Sequence, residues 1–139
     1  QEAEENENVF ATIGMYPEYC NDDKIDLSFL NTLAKSKKVV AIGEIGLDYH
    51  WEGYKKKKQA EVFREQLALA KELSLPVVIH SRDAAKDTLD MMKELPADKT
   101  GGVIHCFGYG VEMAREFLNL GYYIGIGGVV TFKNGKKLI

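Results

Sequence analysis

Three residues that can hold a divalent cation each stand near the end of an apolar, strand-like run. VVAIGEIG carries Glu44, LPVVIHS carries His80 and GGVIHCF carries His105. The intervals are 36 and 25 residues, each long enough for a strand and a returning helix. Side-by-side strands that end in such residues bring them to one point, and in parallel α/β folds that end of the sheet carries the active site. The chain has only three histidines, and two of them stand in this pattern. Mixed imidazole and carboxylate donors suit Zn²⁺, Mn²⁺, Fe²⁺ or Co²⁺, and Mg²⁺ less well. Three protein donors leave coordination positions free for water and substrate, and a cation so held lowers the pKa of water enough to give a nucleophile. The pattern points to a metal-dependent hydrolase.

Each residue also has a plainer reading. Glu44 lies in a strand otherwise without charge, where an unpaired carboxylate is costly, so it needs either a cation or an ion pair with Arg82 or Lys55. His80 or His105 taken singly would be an ordinary hydrogen-bonded core histidine. Arg82, two residues past His80, is placed to bind a substrate phosphate oxygen, or else to pair with Asp83, Asp87 or Glu44. The third histidine, His50, has Asp48, Tyr49 and Trp51 as neighbours; they could line a pocket and stack on a base, or simply pack over the sheet rim. Lys55 to Lys58 read as a solvated helix start or a phosphate-binding cluster. Strand alternation turns Cys106 away from His105, which predicts a buried, inert thiol.

The elements that must position these groups are legible as apolar runs and helical periods. Five runs read as strands buried on both faces: residues 9–14, 39–46, 76–81, 101–107 and 122–128. Asp26 is placed to cap a helix with Leu27, Leu30, Leu33 and Ala34 on one face. The longest helical segment spans about residues 58–73, with Phe63, Leu67 and Ala70 in register and Pro76 beyond its end. Asp83 is placed to cap a helix bearing Leu89, Met92 and Leu95 and closed by Pro96. A last one carries Met113, Ala114, Phe117 and Leu118, with Gly121 where a C-terminal cap glycine belongs. The order is βαβαβαβαβ, which suits either an open doubly wound sheet or part of a (β/α)₈ barrel.

Bulk properties set outer limits. The 139 residues fit one domain with a proper core. Hydrophobic content of 45% and charged content of 28% are ordinary for a globular protein. Net charge is −3, which argues against gripping duplex nucleic acid on a broad basic face, though not against nucleic acid as a substrate beside a metal. No run approaches a membrane span, and no basic-then-apolar signal segment opens the chain. Two cysteines outside any CxxC motif suit a reducing cytoplasm.

GEIGLDYHW, KKKKQAEVFREQLALAKELSLPVVIHSRDA, GGVIHCFGYG and IGIGGVVTFKN together resemble the TatD-related deoxyribonuclease family over essentially the whole chain. The resemblance implies a parallel (β/α) TIM barrel of the amidohydrolase-like kind. It also implies a divalent-metal-dependent nuclease acting on DNA from the 3′ end. The family's glutamate and two histidines fall on Glu44, His80 and His105, with Glu44 catalytic and bridging to a metal held by the histidines. A full-length member would use two ions of Mg, Mn or Zn. Three departures stand out: there is no His-x-His pair, no aspartate in an ETDAPY-like motif, and GMYP replaces GxHP, putting Tyr16 in the histidine's place. Residues 1–139 are therefore expected to form a single partial barrel domain of about five of the eight strands, truncated at both ends. Its open core face is expected either to associate with another copy or partner, or to belong to a fragment of a longer chain. Two alternatives remain: an incompetent fragment or truncated paralogue acting by assembly, and a metallo-hydrolase of amides or esters.

Overall fold

The structure is a computed structural model that describes residues 1–21, 24–94, 101–133 and 135. Five strands form one parallel sheet in the order of the sequence: β1 Ala11–Ile13, β2 Val39–Asp48, β3 Val77–Arg82, β4 Gly102–Ile104 and β5 Tyr123–Ile124. The helices are α1 Glu2–Glu5, α2 Leu27–Leu33, α3 Lys56–Leu73, α4 Ala85–Glu94 and α5 Val111–Asn119. Parallel strands in unbroken sequential order, joined by helical crossovers, are the arrangement of a barrel arc, because crossovers of the usual right hand then put the helices on one face. A doubly wound sheet would reverse its strand order at some point. The fold is thus an α/β barrel segment.

All five expected strands are present, with shifted ends. β2 and β3 run on to Asp48 and Arg82, whereas β4 stops at Ile104, before His105. Toward the helices, Ile42, Ile45, Leu47, Val77, Ile79 and Ile104 pack with Phe63, Leu67 and Ala70 of α3, Met92 of α4 and Phe117 of α5. The other face is open: Thr12, Val40, Val78, Val103 and Tyr123 line a concavity there, and Val40 and Tyr123 are exposed. In a closed barrel such residues form the packed interior. Among the described residues no helix is long and apolar enough to cross a membrane.

Helix ends follow local chemistry. The Phe29 N–H donates to Asp26 Oδ1 at 2.9 Å, the expected cap of α2, an interaction of about 1 kcal/mol. At the end of α5, Gly121 adopts φ 86, the Gly121 N–H donates to Leu118 O and the Tyr122 N–H to Phe117 O. That is a Schellman closure, which favours glycine at its left-handed position. Leu33 and Leu118, expected on buried faces, are exposed instead, because their helices bury narrow stripes centred on Leu30 and Phe117. Asp83 departs from its expected capping role: its φ is 53, and its Oδ2 lies 2.9 Å from His50 Nδ1. Leu95 and Pro96 lie outside the described residues.

Candidate functional site

Glu44 owes its position to a break in the β2–β3 ladder. Gly43 pairs with Val78 and Ile45 with Ile79, so Glu44 is left without a strand partner. Such a bulge re-aims one side chain while the strand continues. The Gly43–Glu44 peptide is cis. Two residues on, Gly46 has φ +145 and pairs with His80, where an added Cβ would lie 1.9 Å from the His80 carbonyl oxygen. Only glycine lets β2 approach β3 this closely beside the site.

The three residues singled out by their spacing meet. Glu44 Oε1 lies 3.3 Å from His80 Nδ1 and 3.1 Å from His105 Nδ1. One carboxylate oxygen therefore faces two imidazoles. The other nitrogen of His80, Nε2, is 2.8 Å from Oδ2 of Asp48, which is almost fully buried. The second oxygen of Asp48 accepts the His50 N–H at 2.9 Å. Tyr16 completes the group: its hydroxyl stands 3.2 and 3.1 Å from the two ring nitrogens of His80, and the rings are 4.7 Å apart. Among the described residues the ion-pair partners of Glu44 are His80 and His105.

The electrostatics follow from these contacts. The hydrogen bond from His80 holds the Glu44 carboxyl below its ordinary range against the effect of burial, and His105 adds to this. Burial works against a charged His80, but hydrogen bonds to Glu44 and Asp48, with their charges, outweigh it and raise its pKa. Burial, then the neighbouring Asp48 and Glu44 carboxylates, pushes the Tyr16 hydroxyl up to about 12, so it stays protonated at neutral pH. His80 thus lies between two carboxylates that favour its protonated form.

Among the described residues no three of His, Cys, Asp and Glu surround a common point as a bound cation requires. The donor set nevertheless fits a divalent cation in its chemistry. Two imidazole Nδ1 atoms and a carboxylate oxygen face one another, held in part by a proton that a cation could replace. An imidazole whose far nitrogen is held by a buried carboxylate also matches the way histidine ligands are oriented.

Around this group the remaining expected residues sort themselves by contact. Among the described residues Arg82 forms no ion pair with Glu44, Asp83 or Asp87; its guanidinium lies 5.3 Å from the ring centre of exposed Trp51. His50 stands edge-on to the same indole at 5.0 Å. Trp51, Arg82 and His50 thus form a rim cluster. Tyr49 turns away: its hydroxyl donates to Asp87 and its ring stacks on Tyr54. Lys56 and Lys58 pair with Asp87 and Glu61, as a solvated helix start does. Cys106 corrects the expectation of a buried thiol. The strand has ended at Ile104, Cys106 takes φ 46, and its exposed Sγ lies 3.7 Å from His105 Nε2.

Two buried glutamines were not anticipated from the sequence. Gln59 and Gln66 lie on the buried stripe of α3 with Val62, Phe63, Leu67 and Ala70. The Asp48 N–H donates to Gln59 Oε1, and Gln59 Nε2 donates to Asp48 O, both at 2.9 Å. The Met15 N–H donates to Gln66 Oε1 at 2.6 Å, and Gln66 Nε2 donates to Met15 O at 3.1 Å. The signal was a pair of amides seven residues apart on an otherwise apolar face, since a buried amide must find partners.

The family model for TatD related DNase matches residues 1–139. An uncharacterized metal-dependent hydrolase of Bacillus subtilis, YabD, is 48% identical over 135 residues, which are 96% of this chain and 53% of that protein. YcfH of Escherichia coli K12, named in the same way, is 41% identical over 134 residues, 96% of this chain and 50% of that protein. The crystal structure of YjjV, a TatD homologue from Escherichia coli K12, superposes with a TM-score of 0.88 at 34% identity. That match covers 94% of this chain and 51% of YjjV. The chain spans about half the length of the curated relatives it matches. By the family match along its whole length and the shared barrel arc, this chain belongs to the TatD-related DNase family.

Proposed function

We propose that the chain carries part of the active site of a metal-dependent hydrolase that cleaves DNA phosphodiester bonds from the 3′ end. The observation that carries this reading is the Glu44 carboxylate facing His80 and His105 at the ends of adjacent strands. The relatives' names give the coarser support: they are metal-dependent hydrolases in a family named for a DNase.

Glu44, His80 and His105 would hold one divalent cation, Mg, Mn or Zn; the whole protein would use two. When bound, such a cation makes water nucleophilic at neutral pH and offsets charge developing on the phosphate. The chain's own residues have separable tasks. Glu44, kept ionised by the histidines, supplies the negative charge that draws the cation in. Asp48 and Tyr16 fix the ring of His80. Arg82, on the sheet rim two residues past His80, is placed to hold a phosphate oxygen, and the exposed Trp51 face beside it offers a stacking surface for a base.

The test is digestion of 3′-labelled single-stranded DNA with Mn²⁺ or Mg²⁺, comparing wild type with Glu44→Ala, His80→Ala and His105→Ala. Loss of activity in each variant supports the reading; unchanged activity in all three sinks it. A second reading, action through assembly, has one observation in its favour: the open apolar concavity at Val40, Val103 and Tyr123. Light scattering that finds a stable, dispersed monomer would count against that reading.

A further inference from the structure

We propose that Gln59 and Gln66 are positioning residues: α3 uses their two buried amides to fix the backbones that present Asp48 and Tyr16 to His80. The inference rests on the reading of His80 as part of the site. Its structural basis is the coincidence of two clamps with two partners. His80 has polar contacts to Glu44, Asp48 and Tyr16. Of these, Asp48 is gripped directly by Gln59, and Tyr16 follows Met15, which is gripped by Gln66.

Each grip replaces a missing strand neighbour. The Tyr49 N–H donates to Arg82 O on β3, so by strand alternation the Asp48 N–H and carbonyl face the other way, toward β1. β1 has already ended at Ile13, which leaves those groups without a ladder partner. The Gln59 carboxamide presents one donor and one acceptor, as a strand peptide would. Gln66 does the same for Met15, just beyond the end of β1. Seven residues are two helical turns, so the glutamines share one stripe about 10 Å apart, given a rise of about 1.5 Å per residue. Both side chains are fully buried between Val62, Phe63 and Leu67, which leaves neither amide an alternative partner in water. Apolar residues there would fill the space but could not hold the two loop starts.

The test compares wild type with Gln59→Met and Gln66→Met, which keep length and burial but lose the clamps. Leu69→Ala is the control: Leu69 is buried on α3 beside Leu27, and its apolar side chain takes no part in the hydrogen bonds to Asp48 and Met15. The first readout is NMR of the metal-free chain at fixed pH. Wild type should show a slowly exchanging His80 Nε2–H and a cross-peak between the Tyr16 and His80 rings. Gln59→Met should lose the former and Gln66→Met the latter, while Leu69→Ala keeps both at a matched loss of thermal midpoint. The second readout is Mn²⁺ affinity by calorimetry, expected to weaken about 10–100-fold in each Met variant and under threefold in the control. Both His80 signals persisting in the Met variants would overturn the proposal, as would their absence from wild type. If wild type binds no Mn²⁺, the metal reading fails while the NMR comparison still decides the positioning role. Should either Met variant not fold, Gln59→Glu and Gln66→Glu keep the acceptor and lose one donor. Partial loss of the same signals is then expected, and full retention refutes the clamp.

Discussion

Asp48→Asn separates the electrostatic role of Asp48 from its shape. Both carboxylate oxygens accept hydrogen bonds, Oδ1 from the His50 N–H and Oδ2 from His80 Nε2. Asparagine has one acceptor and one donor group, so it cannot accept at both contacts. If its oxygen stays on the His50 N–H, its NH₂ meets His80 Nε2–H, a donor against a donor. The cheaper way out is for His80 to give up its Nε2 proton, still donating from Nδ1 to Glu44 Oε1 and accepting from the new amide through Nε2. That exchange keeps every group paired but replaces charge-assisted bonds with weaker ones, which costs about 1–2 kcal/mol of stability. It also leaves the ring held by a weaker contact at Nε2, so Nδ1 is presented less firmly to a cation that must displace its proton. Divalent-cation affinity should therefore fall about 10–100-fold, equivalent to about 1.4–2.7 kcal/mol. Urea unfolding at pH 7 and Mn²⁺ calorimetry read the two effects separately. A variant that unfolds more easily yet binds Mn²⁺ within twofold of wild type would mean that Asp48 supports the fold alone and has no part in presenting His80 to a cation.

Other expectations follow from the same contacts. Glu44, with its pKa lowered, contributes stability that is present above its ordinary value of 4.5 and is lost as pH falls through the lowered one. His80, with its pKa raised, contributes stability that is full below 6.5 and is lost as pH rises through the raised value. The thermal midpoint of the metal-free chain should therefore decline above about pH 6.5, and His80→Gln should flatten that decline; an unchanged slope would refute it. Trp51 is the chain's single tryptophan, so its fluorescence should be quenched by single-stranded DNA, and Trp51→Ala should cost about 1–3 kcal/mol of binding in an anisotropy assay. Cys106 is exposed while Cys20 is buried, with its thiol pushed up to about 11 by burial. A thiol reagent should thus label one cysteine quickly in the native chain and the second only on unfolding.

The sequence was informative where burial alone decides. Continuous apolar runs located all five strands, and their spacing brought Glu44, His80 and His105 together. It was uninformative where a polar group chooses its partner across the fold. The link from Asp48 to His80 spans 32 residues and that from Tyr16 to His80 spans 64, and no periodicity reports either. Strand alternation misplaced Cys106 because the strand ends one residue before His105 and the backbone then turns to positive φ. Asp83 had the composition of a helix cap, but His50 from the neighbouring loop claimed its carboxylate. Gln59 and Gln66 were legible in principle, as amides on an apolar stripe. Their partners, however, are backbone groups at strand ends, which leave no mark in side-chain patterning.

The proposed function requires Glu44, His80 and His105 to hold a divalent cation. Anomalous diffraction from crystals of the chain grown with Mn²⁺ tests it most directly. The expected result is a Mn²⁺ peak within about 2.0–2.3 Å of a Glu44 oxygen and of one nitrogen from each histidine. Density with the Glu44 carboxylate still hydrogen-bonded to both imidazoles, and no peak between them at saturating Mn²⁺, would contradict it.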